Sequence, residues 1–187
     1  DRVTAKINLF KVDKETGKAV PQGDATLKGA VYGLYAREDI VHPDGATGVI
    51  YKAGEQVASL TTDEKGQASV DGLYLGKYYV KEITPPTGYL ADTEEHDLEC
   101  SYEGDMTAEV KRECISSEQV IKQPFQIIKA ANNGKTDADL LSGAGFTVYL
   151  KSSLTKKADG SYDFESATPV VSGENGATEI FTDEKGY

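Results

Sequence analysis

The sequence holds no tryptophan, one methionine, two cysteines and six prolines in 187 residues, and these scarcities exclude several classes of protein. Without tryptophan, a sugar-binding module would have to build its aromatic platform from tyrosine and phenylalanine alone. Two cysteines and two scattered histidines, His42 and His96, offer no zinc-ligand spacing, so no metal is expected. Basic residues number 20 against 31 acidic ones, and the net charge of −11 argues against nucleic acid, whose phosphates need an excess of Lys and Arg. No run of about 18 apolar residues occurs, so no helical membrane span lies in this stretch. G-x-S-x-G, H-E-x-x-H, a glycine-rich phosphate loop and an EF-hand pattern are all missing. The expectation is a non-enzymatic chain without a cofactor. Neither a signal peptide nor a sorting tail is visible. A chain that opens at Asp1 and closes at Tyr187, within an unfinished strand, reads as part of something longer.

What is abundant points to strands. Tyrosine (11) and glycine (19) suit extended segments and tight turns better than long helices. Runs rich in β-branched, aromatic or alternating apolar residues cover 7–12, 31–35, 78–83, 107–111 and 126–129. Turn signals separate them, among them Glu15-Thr16-Gly17, Pro43-Asp44-Gly45, Asp63-Glu64-Lys65-Gly66, Glu103-Gly104-Asp105 and Glu174-Asn175-Gly176. Many short strands punctuated in this way predict an all-β sandwich.

The chain also repeats itself. Phe10-Lys11-Val12-Asp13 corresponds to Ile128-Lys129-Ala130-Ala131, and the segment from Leu27 to Tyr35 corresponds to that from Leu141 to Tyr149. Thr62-Asp63-Glu64-Lys65-Gly66 returns as Thr182-Asp183-Glu184-Lys185-Gly186. Three landmarks in one order, offset by roughly 115 to 120 residues, describe one full domain over 1–123 and the first part of a second over 124–187.

Strand periodicity selects two titratable residues. Ile7, Leu9 and Lys11 share one face of the first strand, and Phe125, Ile127 and Lys129 share a face in the second copy. A lysine in register with large apolar residues either points into the core, where burial favours the neutral, nucleophilic amine, or snorkels out at the strand end. Glu82 follows Tyr78 and Val80 on its own face and carries the same two alternatives. Buried together, the two would form an ion pair or exchange protons during chemistry.

The segment Leu75-Gly76-Lys77-Tyr78-Tyr79-Val80-Lys81-Glu82-Ile83-Thr84-Pro85-Pro86-Thr87-Gly88-Tyr89 resembles the E-box of Cna-B-type (prealbumin-like, SpaA-type) domains, G-x-Y-x-x-x-E-x-x-x-P-x-G-Y, with every fixed position present. Lys11-Val12-Asp13, Gly17-Lys18 and Gly29-Ala30-Val31-Tyr32 resemble the family's opening, K-x-D … G-K-x-L-x-G-A-x-F. The resemblance implies a Greek-key β-sandwich, one full repeat plus an incomplete second. It further implies a stalk repeat of a pilin or adhesin on the cell-wall surface of a Gram-positive bacterium. Neighbouring repeats and a cell wall reached through a sortase anchor outside this stretch would be its partners. Such domains form an intramolecular isopeptide bond: a buried Lys amine attacks an Asn or Asp side chain while a buried Glu shuttles the protons. Lys11 then matches the nucleophile, Glu82 the proton shuttle and Lys129 the nucleophile of the second repeat.

One element departs from the pattern. Where the family ends a domain with V-x-N-x-P, this chain has Val120-Ile121-Lys122-Gln123-Pro124, with Lys122 in place of the acceptor Asn. No acceptor for Lys11 is identified, so a covalent bond and a buried Lys11–Glu82 ion pair both stand. Outside the cell an even cysteine count suggests a Cys100–Cys114 disulfide. A hairpin turning near Gly104-Asp105 would instead put Cys100 opposite a residue near Glu109, and buried free thiols are the alternative. The acidic group Asp92, Glu94, Glu95 and Asp97 reads as a solvated strand edge. The long insert 37–57 is a candidate for direct adhesion to host matrix, and a carbohydrate-binding module is the competing function.

Overall fold

The computed structural model describes residues 2–132 and 139–187, in two compact units, Asp1–Ile121 and Lys122–Tyr187. In the first unit the alternation read from the sequence becomes a two-sheet sandwich. Strand β1 (Thr4–Asp13) sits between β6 (Gln67–Leu73) and β9 (Glu109–Glu118) in a three-stranded sheet. The other sheet has the order β5 (Gln56–Thr61), β2 (Val31–Ala36), β7 (Gly76–Thr84), β8 (Glu95–Cys100). The insert supplies a separate two-stranded ribbon, β3 (Ile40–Val41) with β4 (Val49–Tyr51).

Every second residue of β1 is buried, from Ala5 through Ile7 and Leu9 to Lys11 and Asp13. Ile7 and Leu9 pack with Tyr32 and Leu34 of β2 and Tyr78 and Val80 of β7 in one core cluster. Each such side chain, fully buried, contributes about 1.5–3 kcal/mol. The same inward rows continue past this cluster into polar residues: Lys11 and Asp13 on β1, Glu82 on β7, Ser116 and Glu118 on β9. That polar end of the core holds the site.

β1 and β9 run parallel, in unbroken register from Thr4↔Glu109 to Asp13↔Glu118. A parallel pair cannot be closed by a tight turn. Here the rest of the unit is the connection.

The expected run at 107–111 overlaps the start of a longer strand, β9, which begins at Glu109. The hairpin expected around Gly104-Asp105 is absent, because β8 pairs with β7 in one sheet and β9 with β1 in the other. Residues 126–129 form no strand, although Ala130 makes an isolated bridge to Leu140.

The second unit pairs β10 (Gly145–Thr147) with β13 (Glu179–Phe181) and β11 (Thr155–Lys156) with β12 (Tyr162–Asp163). It reproduces the first unit bond for bond around the repeated threonine. Thr62 Oγ1 donates to the Leu27 carbonyl and accepts from Ala30 N–H, as Thr182 Oγ1 does with Leu141 and Ala144. Lys11 N–H donates to the Gly66 carbonyl, and Lys129 N–H to that of Gly186. Among the described residues no helix is long and apolar enough to cross a membrane.

Candidate functional site

Lys11 is carried inward by the alternation of β1, and its side chain is completely buried. A buried ammonium without partners would be prohibitively costly, so its surroundings decide its chemistry. The Glu118 carboxylate is in direct contact with Lys11 Nζ through Oε2. Glu82 Oε1 lies 3.9 Å from the same nitrogen, and the Tyr89 ring centroid 5.0 Å from it. Both carboxylates are as buried as the lysine.

Tyr89 is positioned by the turn that closes the E-box. Gly88 adopts φ +86°, and a Cβ there would come within 2.6 Å of Ala25 Cβ, so only glycine fits. Beyond it, the Tyr89 hydroxyl donates to Asp13 Oδ2 at 2.9 Å. Asp13 also accepts from the backbone N–H groups of Glu15 and Thr16 and from Gln22 Nε2. Burial raises its pKa, but these bonds outweigh burial and hold it below the usual carboxylate range. The Asp two residues beyond Lys11 is therefore a fixed anion that clamps the ring over the amine.

Two carboxylates beside one ammonium would leave a net negative charge in the interior. Burial first, and then the neighbouring Glu118 carboxylate, push Glu82 up to about 7, so a proton held there restores neutrality. Glu82 Oε2 accepts from Asp92 N–H at 2.7 Å, which leaves Oε1 turned towards Lys11. Lys11 Nζ, Glu82 Oε1 and Glu118 Oε2 make no conventional hydrogen bond to any described residue. They face one another instead. One lysine and two glutamate side chains thus meet at a buried site.

Around them runs a second set of contacts. The Tyr32 hydroxyl donates to Glu118 Oε1 at 2.7 Å and lies 3.0 Å from Ser116 Oγ. Ser116 Oγ donates to Asp92 Oδ2 at 3.0 Å, and the other partner of that oxygen is His96 Nε2 at 2.7 Å. An open cleft of about 550 Å³, lined by Lys14, Asp92, His96 and Glu118 among others, adjoins this side of the site.

Lys11 and Glu82, both singled out by strand periodicity, are brought together. Glu118 was missed. The expected acceptor position was sought beside Pro124, whereas β9 ends at Glu118. The signal was present in Val110, Cys114, Ser116 and Glu118, an inward row of period two broken at the half-buried Arg112. Lys129 is exposed, and no described strand of the second unit covers it as β7 and β9 cover Lys11.

Cys100 and Cys114 stand as buried free thiols on strands of different sheets, each packed as an apolar side chain. The acidic group divides. Arg37 binds Glu95 and Asp97 on the edge strand β8, whereas Asp92 belongs to the site. In the insert, Val41, His42, Pro43 and Asp44 line an open cleft of about 500 Å³ with Arg2 and Tyr74.

The family model named SpaA: Prealbumin-like fold domain matches residues 5–113, from β1 into β9. Among solved structures, the Bacillus anthracis TIE protein is similar over 98% of this chain and 25% of its own, with 21% identity and a TM-score of 0.52. The minor pilin GBS52 of Streptococcus agalactiae is similar over 68% of this chain and 49% of its own, at 21% identity and TM-score 0.43. BcpA, the major pilin subunit of Bacillus cereus, follows with 60% and 28%, at 23% identity and TM-score 0.38. This chain therefore spans between 25% and 49% of the length of these three. No curated protein matches the sequence. At 21% identity the TIE protein speaks to fold alone, but the family model covers more than half of the residues, including Lys11 and Glu82. The chain belongs to the SpaA prealbumin-like fold domain family.

Proposed function

We propose that this chain is a stalk segment of a Gram-positive pilin or adhesin, outside the cell, whose first unit locks itself through an amide bond between Lys11 and Glu118. The observation that carries this reading is the convergence of the buried Lys11, Glu118 and Glu82 side chains at the end of two parallel strands. In the neutral site, Glu82 holds a proton, Lys11 is an ammonium and Glu118 a carboxylate. Transfer of the lysine proton to Glu118 leaves an amine that attacks Glu118 Cδ. Glu82 gives its proton to the departing hydroxyl and takes one from the attacking nitrogen. One water leaves, one C–N bond forms, and Glu82 ends protonated as it began. The event happens once per molecule, without turnover.

The mechanical consequence follows from the topology. Tension entering at Thr4 and leaving beyond Glu118 would pass from β1 through the new bond into the end of β9. Residues 12–117 would carry no load. That is the property a stalk requires, and the repeat visible in the second unit fits an array of such modules. Neighbouring repeats are its partners in this reading, with attachment to the cell wall supplied by a sortase anchor outside this stretch. A carbohydrate- or matrix-binding module is the competing reading. The stacked pair Tyr35–Tyr79 does not favour it, since Arg37 covers the Tyr79 ring at 3.9 Å.

Intact mass tests the proposal. The chain should weigh about 18 Da less than its sequence requires, and Lys11→Ala should restore the full mass. A wild-type chain at full sequence mass overturns the covalent reading.

A further inference from the structure

Tyr32 stands on β2, directly opposite Glu82 in the β2–β7 register, and its ring is fully buried in the core. Its hydroxyl reaches past Glu82 to Glu118 Oε1, the oxygen that does not touch Lys11. The two oxygens of Glu118 are therefore distinguished by the fold. Oε2 faces the amine, while Oε1 rests on a phenol at 2.7 Å. We propose that Tyr32 is a catalytic residue of the self-crosslinking reaction, donating its O–H to Glu118 Oε1 as that oxygen gains negative charge. The inference rests on the Lys11–Glu118 reading above.

When the Lys11 amine adds to Cδ, the electron pair of the C–O double bond moves onto Oε1. The Tyr32 proton stabilises the oxyanion without transferring. Collapse returns the pair to carbon and expels Oε2 as water, using the proton from Glu82, and Oε1 remains as the amide carbonyl oxygen. The donor is already aimed at the oxygen that will carry the charge, in a site that excludes water, where such a bond is worth most. Burial holds the phenol well above its ordinary pKa, so it stays a donor. Ser116 Oγ, bonded to Asp92, lies against the phenol oxygen and keeps it in place.

A buried tyrosine needs some partner for its hydroxyl, so satisfaction alone could explain the contact. The internal repeat speaks against packing as the whole reason. Phe146 occupies the matching position in the second unit, so the aromatic shape does not require the oxygen.

Intact mass followed during cell-free synthesis of the full chain separates the possibilities. Wild type should lose about 18 Da soon after folding, and Tyr32→Phe should do so on the order of 100-fold more slowly. Near-UV circular dichroism reports whether the variant folds. If it does not, fluorinated tyrosines of graded phenol acidity at position 32 preserve the shape. A rate that tracks phenol acidity supports the role, and a rate indifferent to it overturns the role. Equal rates for wild type and a folded Tyr32→Phe overturn the inference and leave the crosslink standing. A wild-type chain that never loses the water overturns both.

Discussion

Lys11 and Glu118 are not register partners: Lys11 stands opposite Ser116 and Glu118 opposite Asp13, so the carboxylate reaches the amine across a diagonal of two residues. In a parallel ladder all four of these side chains point to the same face. The short Ser116 side chain leaves room beneath the amine, and Asp13 is already engaged by Tyr89 and Gln22. Glu118 is thereby left facing Lys11, Tyr32 and Glu82, with a longer contact to Ser116.

Replacing the acceptor changes the leaving group. Glu118→Gln should still crosslink but release ammonia, a loss of about 17 Da in place of about 18 Da. Glu118→Ala should keep its full mass. It should also be less stable by about 4–5 kcal/mol, by analogy with a disulfide closing a loop of roughly 100 residues. Thermal unfolding beside wild type measures that difference.

The reaction should slow as the pH rises. Burial, and then Glu118, raise Glu82 to about 7. Below that value its carboxyl keeps the proton needed by the departing hydroxyl, and above it the carboxyl ionises. From about one unit below to one unit above, the rate of mass loss should fall roughly tenfold. Glu82→Gln should remove this dependence together with nearly all of the rate.

Gly66 ties the turn after β5 to the site. It has φ +71°, and a Cβ there would come within 2.9 Å of the Lys11 carbonyl oxygen. Gly66→Ala should destabilise the first unit by at least about 1–2 kcal/mol, the cost of a left-handed residue, before the clash is added. A lower urea midpoint with an unchanged slope would be the signature.

The thiols should be silent until the fold opens. Burial raises Cys114 to about 12 and also raises Cys100, so neither supplies thiolate at neutral pH. A thiol reagent should label neither cysteine in the native chain and both after denaturation. Absence of labelling in denatured, unreduced protein would instead reveal a disulfide.

Much of the first unit was legible in advance, for local reasons. Strand alternation around Leu9 and Val80 depends only on neighbours along the chain, and so does the glycine-bearing turn at 63–66. The longer β9 was cut short because Arg112 interrupts its inward row with charge and Glu113 its outward one. Its pairing with β1 supplies the backbone bonds that extend it to Glu118. The supposed hairpin between β8 and β9 failed for a related reason. Proximity in sequence favours a turn, but each strand found a better-buried partner in a different sheet.

By itself the sequence determined that Lys11 shares a strand face with Ile7 and Leu9, and Glu82 one with Tyr78 and Val80, but exposed Lys129 in the same pattern shows that alternation alone does not turn such a residue inward. Which carboxyl carbon lies within reach of the amine was decided only by tertiary structure. That choice depends on the register of two parallel strands roughly 100 residues apart in the chain, a contact closed by the collapse of the whole core and written in no local pattern.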